Sequence, residues 1–347
     1  MQSELDSQLA RHKGKGLSAA VIIPEREIWL GTSGVSYGEV PIAPDMLFAI
    51  GSITKNVVAA LALSLAEDGI LSLEDPLAKW LPAYSEVDGS ITLRQLLNHT
   101  SGVFQFFSNP KIWKEMERDP ARLWTPEQVL SYLHEPYFAP GKGFRYSNTN
   151  YVLLGMVLQR AIGSPISAEL RRRFWQPLGL RNAYVYMEER LPANLAHVWE
   201  TFRRFGQQRD LTFLPRMAHE SIIHPSGGIF MTAVELSKWC DALFQGKVIS
   251  RASLDQMMAF VETPKGHLPD TDGYGLGLQS HRSSFSHGER AIGHSGASIG
   301  TIAYMIYLPK HRVAVAAMEN SANGKCIREA VRGLIRVVIE ELPLKRQ

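Results

Sequence analysis

The sequence predicts a mixed α/β protein of the α+β type, in which an antiparallel sheet built from both ends of the chain is flanked by helices. Residues 17–35 hold two apolar, β-branched runs around a Pro-Glu-Arg turn, and three similar runs lie between residues 291 and 318. Between these parts, helical periodicity and Pro/Gly loops dominate. We therefore expect a sheet domain from residues 1–70 and 225–347, a mostly helical inserted region at 71–224, and a functional site at their interface.

The individual elements follow in chain order. The first hairpin is expected over Leu17–Val35, and a helix from Gly51-Ser52 to Asp68-Gly69, because Ser favours helix starts and Gly tolerates the left-handed residue that ends a helix. Helical patterns in the middle of the chain cover Leu93–Asn98, Pro126–His134, Tyr151–Ile162, Ile166–Trp175 and Ala233–Phe244. The C-terminal elements are strands at Ala291–Gly293, Thr301–Tyr307 and Val313–Met318, and an amphipathic helix from about Lys325 to Leu342.

Composition is that of an ordinary globular protein. The 347 residues are 45% hydrophobic and 20% charged, and the net charge of +3 is spread along the chain, which argues against a nucleic-acid partner. The two cysteines, Cys240 and Cys326, form no disulfide framework. The polar N-terminus lacks the apolar core of a signal peptide and no run reaches transmembrane length, so we expect a cytoplasmic protein without a membrane segment. An extracytoplasmic location would follow if a leader had been removed, and oligomeric state stays open.

The helix at residues 51–68 carries one lysine in an otherwise apolar first half. Lys55 follows Ser52 by three residues, so both side chains share one helix face. A desolvated lysine has a lowered pKa and can act as a base, and a hydroxyl at the helix start benefits from the helix dipole. The pair Ser108 and Lys111 has the same spacing in polar surroundings. Spacing alone therefore leaves two interpretations open: Ser52 and Lys55 are catalytic, or their spacing is a coincidence.

Two further clusters accompany this pair. Tyr146-Ser147-Asn148 follows the helix-breaking run Pro-Gly-Lys-Gly and precedes a helix. A buried tyrosine and an asparagine that caps the helix would also explain this cluster. His294-Ser295-Gly296-Ala297 is expected in a turn between one strand and the next. Each cluster has an ordinary structural explanation when it is considered alone.

Taken in the order S-x-x-K, Y-x-N, H-x-G, the three clusters resemble the active-site elements of the penicillin-recognising serine hydrolases, especially class C β-lactamases and their esterase, D-aminopeptidase and DD-peptidase relatives. Other stretches are similar to landmarks of the same family, so that the resemblance covers about residues 19–340: "LSLEDPLAKWLP", "TLRQLLNHTSG", "FAPGKGFRYSNTNYVLLG", "PLGLRNA", "SGGIFMTAVELSKW" and "YGLGLQ". The resemblance implies a β-lactamase/transpeptidase-like fold.

The resemblance also implies site roles. Ser52 would attack an ester or amide carbonyl to form an acyl-enzyme, with Lys55 and Tyr146 as a coupled base whose proton acceptor the sequence does not decide. Asn148 would bond Lys55 and the acyl group, and His294 would support Tyr146 and line the cleft with Ser295 and Gly296. The backbone N–H groups of Ser52 and Ala297 would form the oxyanion hole. No cofactor and no metal is implied.

Position 294 departs from the class C pattern, which usually has Lys there. A histidine is mostly neutral at pH 7, so we expect an esterase for short acyl esters with weak or no β-lactam turnover. The alternatives are a penicillin-binding DD-peptidase or D-aminopeptidase that acts on amides, a true class C-type β-lactamase, a relative that is acylated but turns over poorly, and, ranked last, a non-catalytic scaffold.

Three competing motifs are weaker. Residues 34–38 and 296–300 match G-x-S-x-G, with Ser36 and Ser298 as the serines, but no helix is expected after either, so both are expected to be turns. His219 and His224 are five residues apart and do not share a helix face as zinc ligands would. Asn98-His99-Thr100 matches a glycosylation sequon and is expected to shape a loop.

Overall fold

A nine-stranded antiparallel sheet organises the protein. The computed structural model describes residues 1–202 and 207–341. The strand order is β3-β2-β1-β14-β13-β12-β11-β10-β9, so the first and last strands of the chain pair at the centre, with Leu17 opposite Glu319. Two smaller sheets have the orders β4-β8-β5 and β6-β7. The prediction of an antiparallel sheet built from both ends of the chain is confirmed.

The edge strands of the large sheet, β3 and β9, have two residues each, and the run from β2 to β12 in the sheet holds its longer strands. Their bounds are β1 Gly16–Ile22, β2 Trp29–Tyr37, β3 Val40–Pro41, β4 Phe48–Ala49, β5 Ala183–Val185, β6 Trp199–Phe202, β7 Gln207–Asp210, β8 Ile229–Met231, β9 Val261–Glu262, β10 Thr271–Tyr274, β11 Gln279–His281, β12 Ala291–Ser298, β13 Thr301–Leu308 and β14 Val313–Glu319.

The helices lie on both faces of the sheet and in the middle of the chain. Their bounds are α1 Gln2–His12, α2 Thr54–Glu67, α3 Leu77–Trp80, α4 Leu93–Leu97, α5 Pro110–Arg118, α6 Pro126–Leu130, α7 Asn148–Ile162, α8 Ile166–Leu170, α9 Met217–Ile223, α10 Ala233–Phe244, α11 Arg251–Met257 and α12 Gly324–Glu341. None of these described helices is long and apolar enough to cross a membrane.

Both faces of the sheet are covered, which explains why β1, β13 and β14 hold long apolar runs instead of alternating polar and apolar residues. On β14, Val313 and Val315 face a core shared with α1 and α12, whereas Ala314 and Ala316 face the larger core that contains α2 and α10. Successive side chains of a strand point to opposite faces, so one continuous apolar run serves two layers. The sheet thus holds α2, and the site on it, between two packed cores.

Some element boundaries differ from the sequence expectation. The pattern at residues 166–175 is an α-helix only to Leu170 and then a π-helical turn, Arg171–Trp175. The helix that begins at Pro126 ends at Leu130, before the predicted His134. The last predicted residue of the C-terminal helix, Leu342, lies outside the described residues.

Candidate active site

Ser52 lies in a tight turn directly before α2. Residues Gly51–Ile53 form a 3-10 turn, and Gly51 has a φ of 52°, which glycine adopts without strain. The expectation that Ser52 caps the helix is wrong, because no side-chain cap bond forms and the helix proper begins at Thr54. Instead, the Ser52 hydroxyl lies 3.0 Å from Lys55 Nζ. The turn therefore frees the serine from a capping role and presents it to the lysine.

Lys55 is fully buried in the first turn of α2. Its amine donates a hydrogen bond of 2.8 Å to the Ser226 carbonyl and lies 5.1 Å from the centre of the Tyr146 ring. Desolvation holds the pKa of Lys55 well below its usual value. This shift favours the neutral amine, which is the form that can accept a proton. The other S-x-x-K pair, Ser108 and Lys111, is solvent-exposed.

Tyr146 approaches the same point from the helical region. Burial raises the pKa of its phenol, and the neighbouring Ser52 hydroxyl only partly offsets this. Ser147 occupies the cap position of α7 and Asn148 is the first helical residue, so the Asn cap considered for this loop does not form. The Asn148 backbone N–H donates to Gln105 Oε1 at 3.2 Å. Among the described hydrogen bonds, Lys55 is joined to Ser226 and Ser52 rather than to Asn148.

The segment His294–Ala297 lies inside β12 and not in a turn, which corrects the sequence expectation. The strand approaches the nucleophile turn so closely that a Cβ on Gly296 would lie 2.0 Å from the Ile50 carbonyl oxygen and 2.8 Å from Ser52 N. Only glycine fits such an approach. A Cβ on Gly51 would likewise lie 2.6 Å from Ala297 N. The two backbone N–H groups expected to form the oxyanion hole thus belong to segments in direct contact.

His294 is fully buried and uses both ring nitrogens. Nδ1 lies 2.6 Å from the Ser295 carbonyl oxygen, which can only accept, so Nδ1 carries the proton and Nε2 accepts from the Tyr274 hydroxyl at 2.8 Å. Desolvation, followed by the charge of Lys55, lowers the pKa of His294 to about 3. The imidazole is neutral as expected. However, its described partner is Tyr274 rather than Tyr146, and it lies beneath the cleft instead of lining it.

A cavity of about 570 Å³ opens over the serine. Its lining includes Ser52, Tyr146, Ser295, Gly296 and Ala297. Lys325 and Arg328, near the start of α12, also line it. Arg328 is held by both carboxylate oxygens of Asp270, at 2.6 and 2.7 Å, whereas Lys325 is exposed. Among the described residues that line the cavity, Lys325 and Arg328 carry charge, and Arg328 is paired with Asp270.

Four residues that support the site were not singled out in the sequence. Ser226 accepts from Lys55, Tyr274 bonds His294, Gln279 Oε1 accepts from the Ser295 backbone N–H at 2.9 Å, and His99 Nδ1 bonds Asn150 at 2.9 Å while its ring lies 4.3 Å from that of Tyr146. All four fall within the family landmark stretches. The family resemblance pointed to these stretches, but nothing in a single sequence indicated which residues within them support the site.

The competing motifs have structural roles. Ser36 lies inside β2 rather than in a turn, is followed by β3, and its hydroxyl accepts from the His197 backbone N–H at 2.9 Å. Asn98 shapes a loop by accepting from the Thr100 hydroxyl at 2.7 Å. Within residues 1–202 and 207–341, no group of His, Cys, Asp and Glu side chains is arranged to hold a metal ion.

The fold and the site combine features of the penicillin-recognising class of serine hydrolases: a serine three residues before a buried lysine, a tyrosine beside that lysine, and a glycine-bearing strand against the serine turn. The chain belongs to the Beta-lactamase family, whose family model matches residues 1–337. The resemblance noted in the sequence is thereby confirmed.

Known proteins of several activities are similar to this chain. Penicillin-binding protein 4* of Bacillus subtilis is 26% identical over 84% of this chain and 64% of its own length. Esterase EstB of Burkholderia gladioli is 31% identical over 55% of each chain. The chain thus spans between half and two thirds of these curated relatives. The crystal structure of a D-stereospecific amidohydrolase from a Streptomyces species superposes with a TM-score of 0.82 at 29% identity, covering 96% of this chain and 99% of the other.

Proposed function

We propose that the protein hydrolyses ester or amide bonds through an acyl-enzyme formed on Ser52. The observation that carries this proposal is the fully buried Lys55, whose amine lies 3.0 Å from the Ser52 hydroxyl. A neutral amine at that distance can take the hydroxyl proton as Ser52 attacks the substrate carbonyl. Water then attacks the resulting ester and releases the acid.

Lys55 is the proposed proton acceptor and Tyr146 the proposed proton carrier. Burial shifts the two pKa values in opposite directions: it lowers that of the amine and raises that of the phenol. Both shifts favour a neutral amine with an intact phenol over a charged amine with a phenolate. Tyr146, whose ring lies beside Lys55, can then pass a proton to the leaving group.

The oxyanion is proposed to bind between the backbone N–H groups of Ser52 and Ala297. Tight contact of Gly51 and Gly296 with the opposing segment fixes both groups before the substrate arrives. One such donor is worth about 3 kcal/mol in the transition state. Ser295 and Gly296 line the cavity beside it, and we propose that Asn148, at the start of α7, bonds the acyl group.

Short, uncharged acyl esters are the proposed preferred substrates. In the related β-lactamases a lysine near position 294 provides a cation, whereas His294 here is neutral and occupied by Tyr274 and Ser295. A charge–charge contact at 4 Å is worth about 4 kcal/mol at an effective dielectric constant of 20, against about 1 kcal/mol for a neutral hydrogen bond. β-Lactams, which carry a carboxylate, would therefore turn over weakly.

Amide hydrolysis is the second candidate. It is supported by the similarity to the Streptomyces amidohydrolase over nearly the whole of both chains. The same nucleophile and proton carrier would serve it, because an amine leaving group also needs a proton.

A three-substrate panel tests these proposals. Initial rates are measured on p-nitrophenyl butanoate, a chromogenic cephalosporin and D-alaninamide with the wild type and with Ser52→Ala. We expect the ester to have the highest kcat/KM and Ser52→Ala to abolish all turnover. Ester hydrolysis that survives in Ser52→Ala would overturn the proposed nucleophile, and a faster cephalosporin would overturn the proposed substrate preference.

A further inference from the structure

His99 contacts the chain on both sides of Tyr146. Its backbone carbonyl accepts from the Arg145 N–H at 3.0 Å, and its ring nitrogen Nδ1 accepts from the Ser147 N–H at 3.3 Å. The centre of its ring lies 4.3 Å from the centre of the Tyr146 ring. The N–H groups of both neighbours of the proposed proton carrier, and the ring of the carrier itself, thus contact one residue.

The hydrogen bonds of Asn150 decide which form of this imidazole is present. Asn150 Oδ1 accepts from the Ser101 hydroxyl at 2.6 Å, so its Nδ2 faces His99 Nδ1, at 2.9 Å, as a donor. Because Nδ1 accepts from both Asn150 and Ser147, it is unprotonated and the proton of the neutral ring lies on Nε2. Desolvation lowers the pKa of His99 well below its usual value. Burial therefore favours the neutral form, which is the form that can hold the Ser147 N–H.

His99 occupies this place at a cost to stability. It is fully buried, and its φ of 62° lies in the left-handed region, which histidine adopts less readily than glycine. Its Nε2 has no hydrogen-bond partner within residues 1–202 and 207–341. A left-handed backbone and an unpaired buried N–H are both unfavourable, and such features cluster at functional sites. The contacts around Tyr146 give a functional reason for a histidine at this position.

We propose that His99 is a positioning residue that sets where the Tyr146 phenol lies relative to the leaving group of the substrate. The inference rests on the proposed function, in which Tyr146 passes a proton to that group. Ser147 is buried and directly precedes α7, so loss of the Nδ1 acceptor would leave its N–H unpaired and let the loop before α7 shift. A shift of about 1 Å at a reacting group can reduce the rate about a hundredfold.

Two butanoate esters with different leaving groups test this role. p-Nitrophenolate is a stable anion that leaves without a proton, whereas ethoxide needs one. The ratio of kcat/KM for p-nitrophenyl butanoate to that for ethyl butanoate therefore reports proton delivery. Tyr146→Phe removes the proposed carrier and should raise this ratio about a hundredfold. Because both rates are measured on one preparation, a change in the folded fraction cancels in the ratio.

Variants of His99 separate the acceptor from the ring. Asn and Gly both tolerate a positive φ and both lack the ring, but Asn has an acceptor, Oδ1, two bonds from Cβ, as His Nδ1 is, and Gly has none. We expect the ratio to rise about tenfold in His99→Gly and in His99→Ala, and to stay within about twofold of the wild type in His99→Asn. His281→Gly, which removes another buried imidazole, from β11, is the control and should leave the ratio unchanged.

Three results would overturn the positioning role and leave the hydrolase intact. The first is an unchanged ratio in His99→Gly and His99→Ala when Tyr146→Phe raises it. The second is a rise in His99→Asn or His281→Gly as large as that in His99→Gly. The third is a wild type that cleaves the p-nitrophenyl ester alone, because such an enzyme delivers no proton to the leaving group.

Two further results concern the proposed function itself. If Tyr146→Phe leaves the ratio unchanged while hydrolysis still depends on Ser52, Tyr146 is not the proton carrier, and the role of His99 falls with that step. If neither ester is hydrolysed in a Ser52-dependent way, the proposed hydrolase falls, and the positioning role with it.

Discussion

At the scale of single residues, one buried lysine carries most of the proposed chemistry. Lys55 is surrounded by apolar side chains of α2 and by the rings of Tyr146 and Tyr151, and its amine contacts one hydroxyl and one carbonyl. Burial of a lysine costs stability unless its charge is lost. The same burial favours the neutral amine, which is the form that can act as a base.

Lys55→Met should remove this base while keeping the volume of the side chain. We expect kcat/KM on p-nitrophenyl butanoate to fall by about a thousandfold or more, because loss of one member of a nucleophile and base unit disables the unit. Lys111→Met, in the exposed S-x-x-K pair, is the matched control and should behave as the wild type. Equal rates in the two variants would show that Lys55 has no part in the reaction.

The pH profile should rise toward alkaline pH. Below its pKa the Lys55 amine is charged and cannot accept a proton, so kcat/KM increases as pH increases. Because burial holds that pKa well below 10.5, the plateau should be reached before pH 10. The measurement is the initial rate on a neutral ester between pH 5 and pH 10, corrected for the rate without enzyme. A flat profile, or one that falls with pH, would contradict a lysine base.

The site residues that were predicted from the sequence are those that lie one helical turn apart or belong to a recognisable motif. Ser52 and Lys55 were predicted to meet because three residues make one helical turn, and they do. The contact of His294 with Tyr274 was not predicted, because it depends on the pairing of β10 and β12 with β11 between them. Only the folded sheet shows that pairing.

At the scale of elements, α12 is fastened to the sheet through a buried carboxylate. Glu319 ends β14, and its side chain accepts from the Ser321 hydroxyl at 2.5 Å and from the Ile327 backbone N–H at 3.1 Å, near the start of α12. Burial raises the pKa of Glu319 to about 8. The same helix start carries Lys325 and Arg328 into the cavity wall, so this contact also shapes the site.

Glu319 should make the protein less stable as pH rises. Its folded-state pKa of about 8 lies above the value of about 4.3 expected for the unfolded chain. The stabilisation is therefore complete below pH 4 and is lost as pH rises through 8. We expect the free energy of unfolding of the wild type to decrease relative to Glu319→Gln between pH 5 and pH 8, measured by urea unfolding. Glu340→Gln, at an exposed position of α12, should show no such change relative to the wild type; a constant difference for Glu319→Gln would contradict the prediction.

Local patterns predicted whole helices better than their ends. Ala233–Phe244 was predicted to the residue, since a Thr cap and a strong apolar period mark it. The π-helical turn at residues 171–175 could not be predicted from Arg171-Arg172-Arg173. Arginine is an ordinary helix former, and these residues were expected on the solvent-exposed face of a helix. Glu169 is a local partner of Arg172, whereas the contacts of Arg171 with Glu189 and of Arg173 with Asp68 join separate parts of the chain.

At the scale of the whole molecule, the pairing of β1 with β14 brings the two ends of the chain together. The proposed nucleophile, just before α2, and the strand β12 lie some 240 residues apart in sequence, yet both are positioned by this one sheet and its covered faces. The sequence predicted a sheet from both ends because both ends hold β-branched runs. It could not predict the order of the nine strands, since an apolar run buried on both faces has no pattern that distinguishes its neighbours.

Substrate choice is a property of the whole cavity. With His294 neutral and Arg328 paired to Asp270, the exposed cation at the wall is Lys325. We expect kcat/KM for p-nitrophenyl butanoate to exceed that for a chromogenic cephalosporin by at least about tenfold. If the cephalosporin is faster and Lys325→Glu abolishes that advantage, Lys325 reads the carboxylate and the neutral residue at 294 does not set specificity.

The central claim, that Ser52 is the nucleophile activated by Lys55 of α2, is tested most directly by intact-protein mass spectrometry after reaction with a fluorophosphonate. We expect the wild type and Ser298→Ala to gain the mass of one phosphonyl group, with the modified peptide containing Ser52, and Ser52→Ala to gain none. A wild type that is not labelled, or a Ser52→Ala variant labelled at Ser298 or elsewhere, would contradict the claim.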